Sequence, residues 1–226
     1  MKKLFALGFT GLLAFAAASP ASAATVFVSF EQATLSGGGA AYAYITQPFG
    51  GSPNVPVGFG TIPGVTFSGA SGVQANGSAF GFANATDGTK TAFIQSYNGV
   101  GGSISVDLSG LTPMQRYFVS FDAARRAYSN PNGASNPFSV TVGGVTTMFD
   151  TTNTAFTPFA FSFIAQGNDV LKFDGSTLGN DVTVGLDAIT VAVPEPATWM
   201  MMIAGFGMIG FGLRSRSKPT VRVTYA

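Results

Sequence analysis

The side chains that most often carry enzyme chemistry are absent from this sequence of 226 residues, which contains no histidine and no cysteine. Nucleophilic triads of the Ser-His-Asp and Cys-His kinds are therefore excluded, and a zinc ion would have to bind carboxylates alone. Paired carboxylates can hydrolyse a glycosidic bond without histidine, but the acidic residues are scattered among predicted turns and form no recognisable pair. We predict that the protein is not an enzyme, and a glycan-active hydrolase is the less favoured alternative.

Charge and cysteine content restrict the partners and the covalent structure. Residues 24–193 carry five basic and nine acidic side chains, a net charge of −4, and this acidity disfavours nucleic acid as a ligand. The charge of +1 for the whole chain arises from basic residues near its two ends. A chain without cysteine forms no disulfide even in an oxidising compartment. We therefore predict no nucleic-acid partner and a fold that is stable without cross-links.

The most polar loop lies at residues 125–132, where the sequence is Arg-Arg-Ala-Tyr-Ser-Asn-Pro-Asn. A planar guanidinium, an aromatic face and amide groups suit a sugar or an anionic glycan, because they combine stacking with bidentate hydrogen bonds. We therefore predict Arg125, Arg126 and Tyr128 as glycan-binding residues. The alternative is a solvated loop in which one of the arginines pairs with Asp122.

An extended acidic box and an apolar helix are predicted near the C-terminus. Pro194 and Pro196 flank Glu195 and deny the segment regular hydrogen bonding, so it is expected to be extended and accessible. The following residues, 197–213, carry no charge. A helix of roughly 17 residues is about 26 Å long, and this length just spans the hydrocarbon core of a bilayer. We predict one C-terminal transmembrane helix here.

Basic residues follow this helix, and an indole stands near its start. Arg214, Arg216 and Lys218 would keep the far end in the cytoplasm, whereas Trp199 favours the interface at the opposite end. The order of a Pro-Glu-Pro box, Thr-Trp, a Gly/Met-rich helix and an Arg cluster resembles the C-terminal sorting signal of PEP-CTERM proteins, the bacterial exosortase substrates. An ordinary tail anchor that happens to contain two prolines is the alternative.

This resemblance covers residues 194–218 and implies a fate for the protein. An exosortase-type transpeptidase would be the partner, cleavage would fall near the Pro-Glu-Pro box, and the product would move toward the outer surface, typically in organisms that make exopolysaccharide. The tail at residues 219–226 extends past the usual end of such signals. We expect this tail to be cytoplasmic and to be discarded with the helix.

The N-terminal residues 1–23 are organised as a secretory signal peptide. Two lysines form a basic region, residues 4–18 form an apolar region, and Ala21-Ser22-Ala23 is a small-residue cleavage site. Both ends of the chain are therefore predicted to be targeting segments, and fold prediction applies to residues 24–193.

Residues 24–193 consist of short alternating segments separated by turns, without sustained helical periodicity. Residues 25–31 place Val26, Val28 and Phe30 on one face, and further segments alternate in the same way. The last segment, 181–193, changes parity, and this change predicts a bulge or a bend near Asp187. Eight or more alternating strands predict an all-β ectodomain, a β-sandwich of the jelly-roll type.

Turn signals distinguish two other stretches. Residues 36–67 are rich in glycine, proline and aromatic residues, and we predict them to be irregular apart from one strand near 42–45. Asp87-Gly88 and Asn98-Gly99 bracket residues 89–97 at a spacing typical of hairpins.

A second resemblance concerns the strands. Gly110-Leu-Thr-Pro, followed by Tyr-Phe-Val-Ser-Phe-Asp-Ala-Ala at 117–124 and by the closing strand at 184–191, resembles galactose-binding-like jelly rolls, which include extracellular carbohydrate-binding modules. The resemblance implies a structural calcium ion between the first and last strands, with Glu31 and Asp187 at the ligand positions. The alternatives are a solvated Glu31, an Asp187 that caps the bulge, and a jelly roll without a sugar ligand.

These features together predict an exported, non-enzymatic surface or extracellular-matrix protein that is sorted by an exosortase-type system and associated with exopolysaccharide. The C-terminal helix would anchor it in the inner membrane before it reaches the cell surface or the matrix. The alternative function is that of a carbohydrate-binding module with a defined glycan ligand.

Overall fold

A computed structural model describes residues 26–36, 41–47, 55–97, 99–127, 135–175, 181–193 and 196–214. The chain divides into two compact units: Ala23–Glu195, and Met1–Ser22 together with Pro196–Ala226. Several predictions lie outside the described residues: the signal peptide at 1–23, Pro194 and Glu195 of the acidic box, Tyr128, Arg216, Lys218 and the tail at 219–226.

The described elements of the larger unit are twelve β-strands, and the smaller unit contributes one helix. The strands are β1 Val26–Val28, β2 Tyr42–Tyr44, β3 Val65–Gly69, β4 Ser71–Ala75, β5 Lys90–Tyr97, β6 Val100–Leu108, β7 Arg116–Arg125, β8 Asn136–Val142, β9 Val145–Thr151, β10 Thr157–Ile164, β11 Asp169–Gly175 and β12 Val182–Ala192; the helix is α1 Pro196–Arg214.

The strands form two antiparallel sheets. Sheet A has the order β2-β4-β5-β12-β7-β10, and β1 pairs with the second half of β12 beyond the end of β5. Sheet B has the order β3-β6-β11-β8-β9. The sheets are joined by the β5–β6 hairpin, whose strands pair only near the turn. The predicted β-sandwich of the jelly-roll type is confirmed.

Alternation fills the space between the sheets with apolar side chains. Phe121 of sheet A is 1% exposed, and its ring lies 5.1 Å from that of Phe173 and 6.0 Å from that of Phe138, both in sheet B. Phe149 and Phe159 complete the cluster at 5.5 and 5.6 Å. Truncating a buried phenylalanine costs about 3–5 kcal/mol, so this cluster is a main source of sandwich stability.

The prediction of one strand near residues 42–45 is confirmed by β2. The prediction that the rest of residues 36–67 is irregular is wrong at its end, because β3 begins at Val65. Strand β4 follows β3 after one residue. All five residues of β4 are buried, since the main core covers one face and a second aromatic cluster around Phe80 and Phe93 covers the other. A strand that is buried on both faces shows no polar–apolar alternation. The usual sequence signal for β4 is therefore missing.

The predicted irregularity near Asp187 is confirmed. The pairing of β12 with β7 shifts register between Asp187 and Thr190, and Ala188 has a positive φ of 48°. In a regular strand, residues three positions apart face opposite sides of the sheet. Leu186 and Ile189 are nevertheless both fully buried, so the bulge shifts the alternation of core-facing residues by one position. Asp187 itself is fully buried at this bulge.

Helix α1 confirms the predicted helix after the proline box. Within the described part of the chain, no helix is both long enough and apolar enough to cross a membrane.

Candidate functional site

The first and last strands hold one loop between them. Glu31 lies three residues after β1, Asp187 lies at the bulge of β12, and the segment 86–90, which leads into β5, bonds to both carboxylates. The predicted approach of the first and last strands is correct in outline, since Val26 to Val28 pair with Ile189 to Val191. Glu31 and Asp187 therefore bind the same loop, Asp187 at its beginning and Glu31 at its end.

Asp187 holds the beginning of this loop with a single oxygen. Its Oδ2 accepts hydrogen bonds from the backbone N–H groups of Thr86 and Asp87, at 2.7 and 2.9 Å, and from the Thr86 hydroxyl at 3.1 Å. Burial raises the pKa of the Asp187 carboxyl, and the hydrogen bonds that it accepts from Asp87 and Thr86 offset this only in part. Asp187 is thus a buried acceptor that fixes the loop to the bulge.

Glu31 holds the end of the same loop with both of its oxygens. Oε1 accepts from the backbone N–H groups of Thr89 and Lys90, at 2.7 and 2.6 Å, and Oε2 accepts from the Thr89 hydroxyl at 2.9 Å. Burial disfavours the ionised carboxyl, but these hydrogen bonds and the charge of Lys90 outweigh it and lower the pKa of Glu31. The structure gives Glu31 a loop-fixing role that the sequence did not indicate.

A glycine between the two anchored ends permits this close approach. Gly88 has a φ of +75°, and a Cβ atom at this position would lie 2.5 Å from the Glu31 Cδ atom. Both the left-handed backbone and the lack of space require glycine here. Asp87-Gly88, which was predicted as a hairpin turn, therefore forms the tip of a loop whose N–H groups bind the Glu31 carboxylate.

Two carboxylate oxygens at this loop have no hydrogen-bond partner. Asp187 Oδ1 and Asp87 Oδ2 are buried and unsatisfied, and the two residues are in direct contact through the Asp87 N–H group. No group of three or more His, Cys, Asp or Glu side chains in the described residues is arranged to hold a metal ion. Asp87 is not among the sequence-predicted ligands, although it stands directly before a turn glycine. The predicted calcium site remains a prediction.

The two arginines of the predicted glycan loop bond within the domain. Arg126 donates from Nε to the Phe80 carbonyl at 2.6 Å, its guanidinium carbon lies 4.3 Å above the Phe80 ring, and Nη1 lies 3.2 Å from Asp181 Oδ2. Arg125 donates from Nε to the Thr152 carbonyl at 3.3 Å. The ion pair of Arg126 thus involves Asp181, where the sequence had suggested Asp122. The predicted glycan-binding role stays a prediction.

This ion pair extends into a polar network on the outer side of sheet A. Gln95 donates from Nε2 to Asp181 Oδ1 at 2.7 Å, and the hydroxyl of Tyr44 donates to Gln95 Oε1. The Tyr44 ring packs edge-on against Phe93 at 4.9 Å, and burial raises the pKa of its hydroxyl. Gln95 and Asp181 are not among the sequence-predicted site residues, because scattered polar residues in strands carry no spacing signal.

The described part of the sorting signal is helical. Pro196 is the first residue of α1, Trp199 lies within its first turn, and Arg214 is its last residue. Proline suits the first turn of a helix because its missing N–H group is not needed there. The large apolar side chains of α1 with described exposure are mostly accessible: Met201, Met202, Ile203, Phe206, Met208, Ile209 and Phe211.

Solved structures similar to this chain include carbohydrate-binding modules. The CBM22-1 xylan-binding domain of Paenibacillus barcinonensis Xyn10C is 18% identical with a TM-score of 0.44, and the match covers 61% of this chain and 90% of that one. A family 35 module from Clostridium thermocellum is 16% identical with a TM-score of 0.39, covering 57% and 92%. For the CBM22-1-GH10 modules of Clostridium thermocellum xylanase 10B, the identity is 11%, the TM-score 0.42, and the coverage 59% of this chain but only 27% of that one.

Sequence comparison identifies one segment. No curated protein matches the chain, but residues 192–217 match the PEP-CTERM protein-sorting motif. This motif includes the Pro-Glu-Pro box, α1 and the basic residues Arg214 and Arg216. The chain therefore carries a PEP-CTERM sorting motif that begins at the last residue of its β-sandwich.

Proposed function

We propose that this protein is an exported, non-enzymatic surface or matrix protein and that an exosortase-type transpeptidase processes it. The position of the PEP-CTERM motif carries the proposal. The motif begins at residue 192, the last residue of β12, and the buried residues of both hydrophobic clusters precede the Pro-Glu-Pro box. Cleavage at the box would therefore release the β-sandwich with its core complete.

Before cleavage, we expect the precursor to be attached to the inner membrane through α1. The exposed apolar side chains of this helix, such as Ile203, Phe206 and Phe211, would be stabilised by contact with lipid. In the sequence, the Pro-Glu-Pro box follows β12 and ends at the first residue of α1, and the transpeptidase would cleave the precursor there.

The test is mass spectrometry of the C-terminal peptide of the protein from producing cells and from cells that lack the exosortase. We expect surface molecules from producing cells to end near Pro196, and cells without the enzyme to retain residues 214–226. The variant Glu195→Gln with Pro196→Ala should accumulate as precursor, whereas Pro219→Ala, beyond the matched motif, should be processed normally. An intact C-terminal tail on most surface molecules would contradict the proposal.

An association with exopolysaccharide forms the second part of the proposed function. Arg126 supports it, because its guanidinium is already fixed against the Phe80 ring and Asp181, and a pre-ordered side chain loses little entropy when a ligand binds. In this view Arg125, Arg126 and Tyr128 contact the polymer. Cell-surface retention after removal of the polysaccharide measures this association.

We also propose a structural calcium ion at the loop between the first and last strands. The two buried, unpaired oxygens Asp187 Oδ1 and Asp87 Oδ2 support it, since burying an unpaired carboxylate oxygen is costly and a divalent cation removes that cost. Backbone carbonyls would have to supply the remaining oxygen ligands. Glu31, whose oxygens all accept hydrogen bonds from the loop, would order the loop.

Thermal unfolding of the full-length protein in detergent, with calcium or with a chelator, tests the calcium site. An ion bound only by the folded state adds about 2.7 kcal/mol at a hundredfold excess over its dissociation constant. Asp187→Asn and Asp87→Asn should abolish the calcium response, whereas Asp150→Asn on the exposed face of β9 should keep it. Equal melting temperatures with and without calcium would exclude the site.

A further inference from the structure

The outer face of sheet B carries rows of small hydroxyl side chains that cross the strands in register. One row runs through Ser68, Ser103, Asp174, Ser139 and Met148 of β3, β6, β11, β8 and β9. The next row consists of Thr66, Ser105, Lys172, Thr141 and Thr146. Neighbouring strands lie about 4.8 Å apart, so these rows form a regular lattice of donors and acceptors.

A charged pair lies at the centre of this lattice. Lys172 Nζ is 2.7 Å from Asp174 Oδ1, and the two side chains are 46% and 32% exposed. Each residue stands between hydroxyls on both neighbouring strands, Lys172 between Ser105 and Thr141 and Asp174 between Ser103 and Ser139. The pair is neutral overall, and it offers an acceptor and a donor side by side.

The charged pair lines an open groove of about 590 Å³ together with glycines and one thioether. Gly101, Gly102 and Gly175 contribute no side chains to the groove, so a ligand would reach the strand backbone there. Gly102 is fixed by the fold, because a Cβ atom would overlap the Ala70 carbonyl. Met148 is 66% exposed and forms an apolar wall.

We propose that this groove binds a neutral glycan chain. A carboxylate and an ammonium at ion-pair distance can accept from and donate to adjacent hydroxyls of one sugar, since charged partners give the stronger hydrogen bonds. The serine and threonine rows would bond to neighbouring sugars along the chain, and Met148 would cover an apolar sugar face. The inference rests on the proposed association with exopolysaccharide, and it names both a ligand class and a site that differs from the arginine loop.

The composition of the face favours a glycan over a protein partner. Protein interfaces concentrate aromatic residues and arginine in a desolvated centre. No arginine lines this groove, and its one aromatic lining residue, Phe138, is fully buried in the core and offers no ring to a partner. A neutral polyol needs no excess of charge, in agreement with the balanced pair. The groove is also open, which suits a chain that continues beyond the site at both ends.

Affinity electrophoresis of the purified full-length protein in detergent tests the inference. The probes are the neutral and acidic fractions of the extracellular polysaccharide of the producing cells. We expect retardation by the neutral fraction, and at least a tenfold weaker association for the double variant Lys172→Gln, Asp174→Asn, which keeps the net charge. The control Asp150→Asn changes the same face of β9 outside the groove, and it should bind as the wild type does.

Three outcomes would overturn the inference: no retardation by the neutral fraction, full binding by the double variant, or an equal loss in Asp150→Asn. Loss of binding in Arg125→Gln with full binding in the double variant would assign the glycan to the arginine loop instead. Equal melting temperatures establish that each variant is folded. Processing is measured separately on cells, so a failure of sorting and a failure of this site are distinguishable.

Discussion

Asp187 and Glu31 accept hydrogen bonds from the same loop, but their environments shift their pKa values in opposite directions. Burial dominates at Asp187 and raises its pKa, whereas hydrogen bonds and Lys90 dominate at Glu31 and lower its pKa. Fully buried Asp187 keeps one oxygen unpaired, and partly exposed Glu31 has donors on both oxygens. The two carboxylates should therefore contribute to stability at different pH values.

The direction in which stability changes with pH follows from which state, folded or unfolded, binds more protons. For Glu31 the unfolded chain binds more protons below its usual pKa of 4.5, so the stabilisation is present above pH 4.5 and is lost as the pH falls through the lower pKa of the folded state. For Asp187 the folded state binds more protons above 3.8, so stability decreases as the pH rises through its raised pKa.

Thermal unfolding between pH 3 and 7, in chelator, should therefore separate the two residues. The stability difference between wild type and Glu31→Gln should grow as the pH rises, and that between wild type and Asp187→Asn should shrink. At neutral pH we expect Glu31→Gln to cost about 1 kcal/mol, since its site is partly exposed. Parallel profiles for the two variants would contradict the assigned environments.

The sequence located these carboxylates but did not reveal their partners. Glu31 and Asp187 were identifiable from the end of an alternating segment and from a parity change. Their bonds to residues 86–90 depend on the approach of three segments that are far apart in the chain, and no local pattern encodes such an approach. Asp87 was visible only as part of a turn, so its buried, unpaired oxygen could not be anticipated.

Among the elements, β4 depends most on the absence of a side chain. A Cβ atom at Gly72 would overlap the Ala43 carbonyl of β2 and approach the Phe93 ring. Gly110, in contrast, has open space around its Cβ position and no positive φ. The close approach of β2 to β4 therefore requires glycine at position 72, whereas the turn after β6 has room for alanine at position 110.

Gly72→Ala should destabilise the domain by about 3 kcal/mol through overpacking, and Gly110→Ala should change its stability by less than about 0.5 kcal/mol. Denaturant unfolding monitored by tyrosine fluorescence and circular dichroism measures both. A Gly72→Ala protein as stable as the Gly110→Ala control would show that β2 moves away from β4 at little cost.

The sequence predicted elements well where one face is polar and poorly where both faces are covered. Alternation identified β6, β7, β8 and β11, whose burial patterns alternate between core and surface. It failed for β4, which lies between the main core and the second aromatic cluster. Helix α1 was recognisable from its apolar run.

The basic residues after α1 should determine how the precursor is retained. Replacing Arg214, Arg216 and Lys218 with glutamine removes three positive charges that resist translocation and attract anionic lipid. We expect more of the precursor to pass into the export compartment, measured by protease access to a C-terminal tag in spheroplasts. Replacement of Arg222 alone, in the tail outside the matched motif, is the control. Unchanged protease access for the triple variant would exclude the basic residues as the retention signal.

For the whole molecule, the division into two units predicts that the β-sandwich folds without either end of the chain. The buried residues of both hydrophobic clusters lie between Val28 and Val191, and β12 closes sheet A by pairing with β1, β5 and β7. Residues 24–193, expressed alone, should therefore unfold in one cooperative transition, with a melting temperature within about 2–4 °C of the processed protein, a shift equivalent to about 1 kcal/mol at this size. A shorter segment, 24–181, lacks β12 and should not fold, since it loses the central strand of sheet A.

Calorimetry distinguishes a segment that unfolds cooperatively from one that does not fold. A segment 24–193 that melts without cooperativity would show that the targeting ends are needed for folding as well as for sorting.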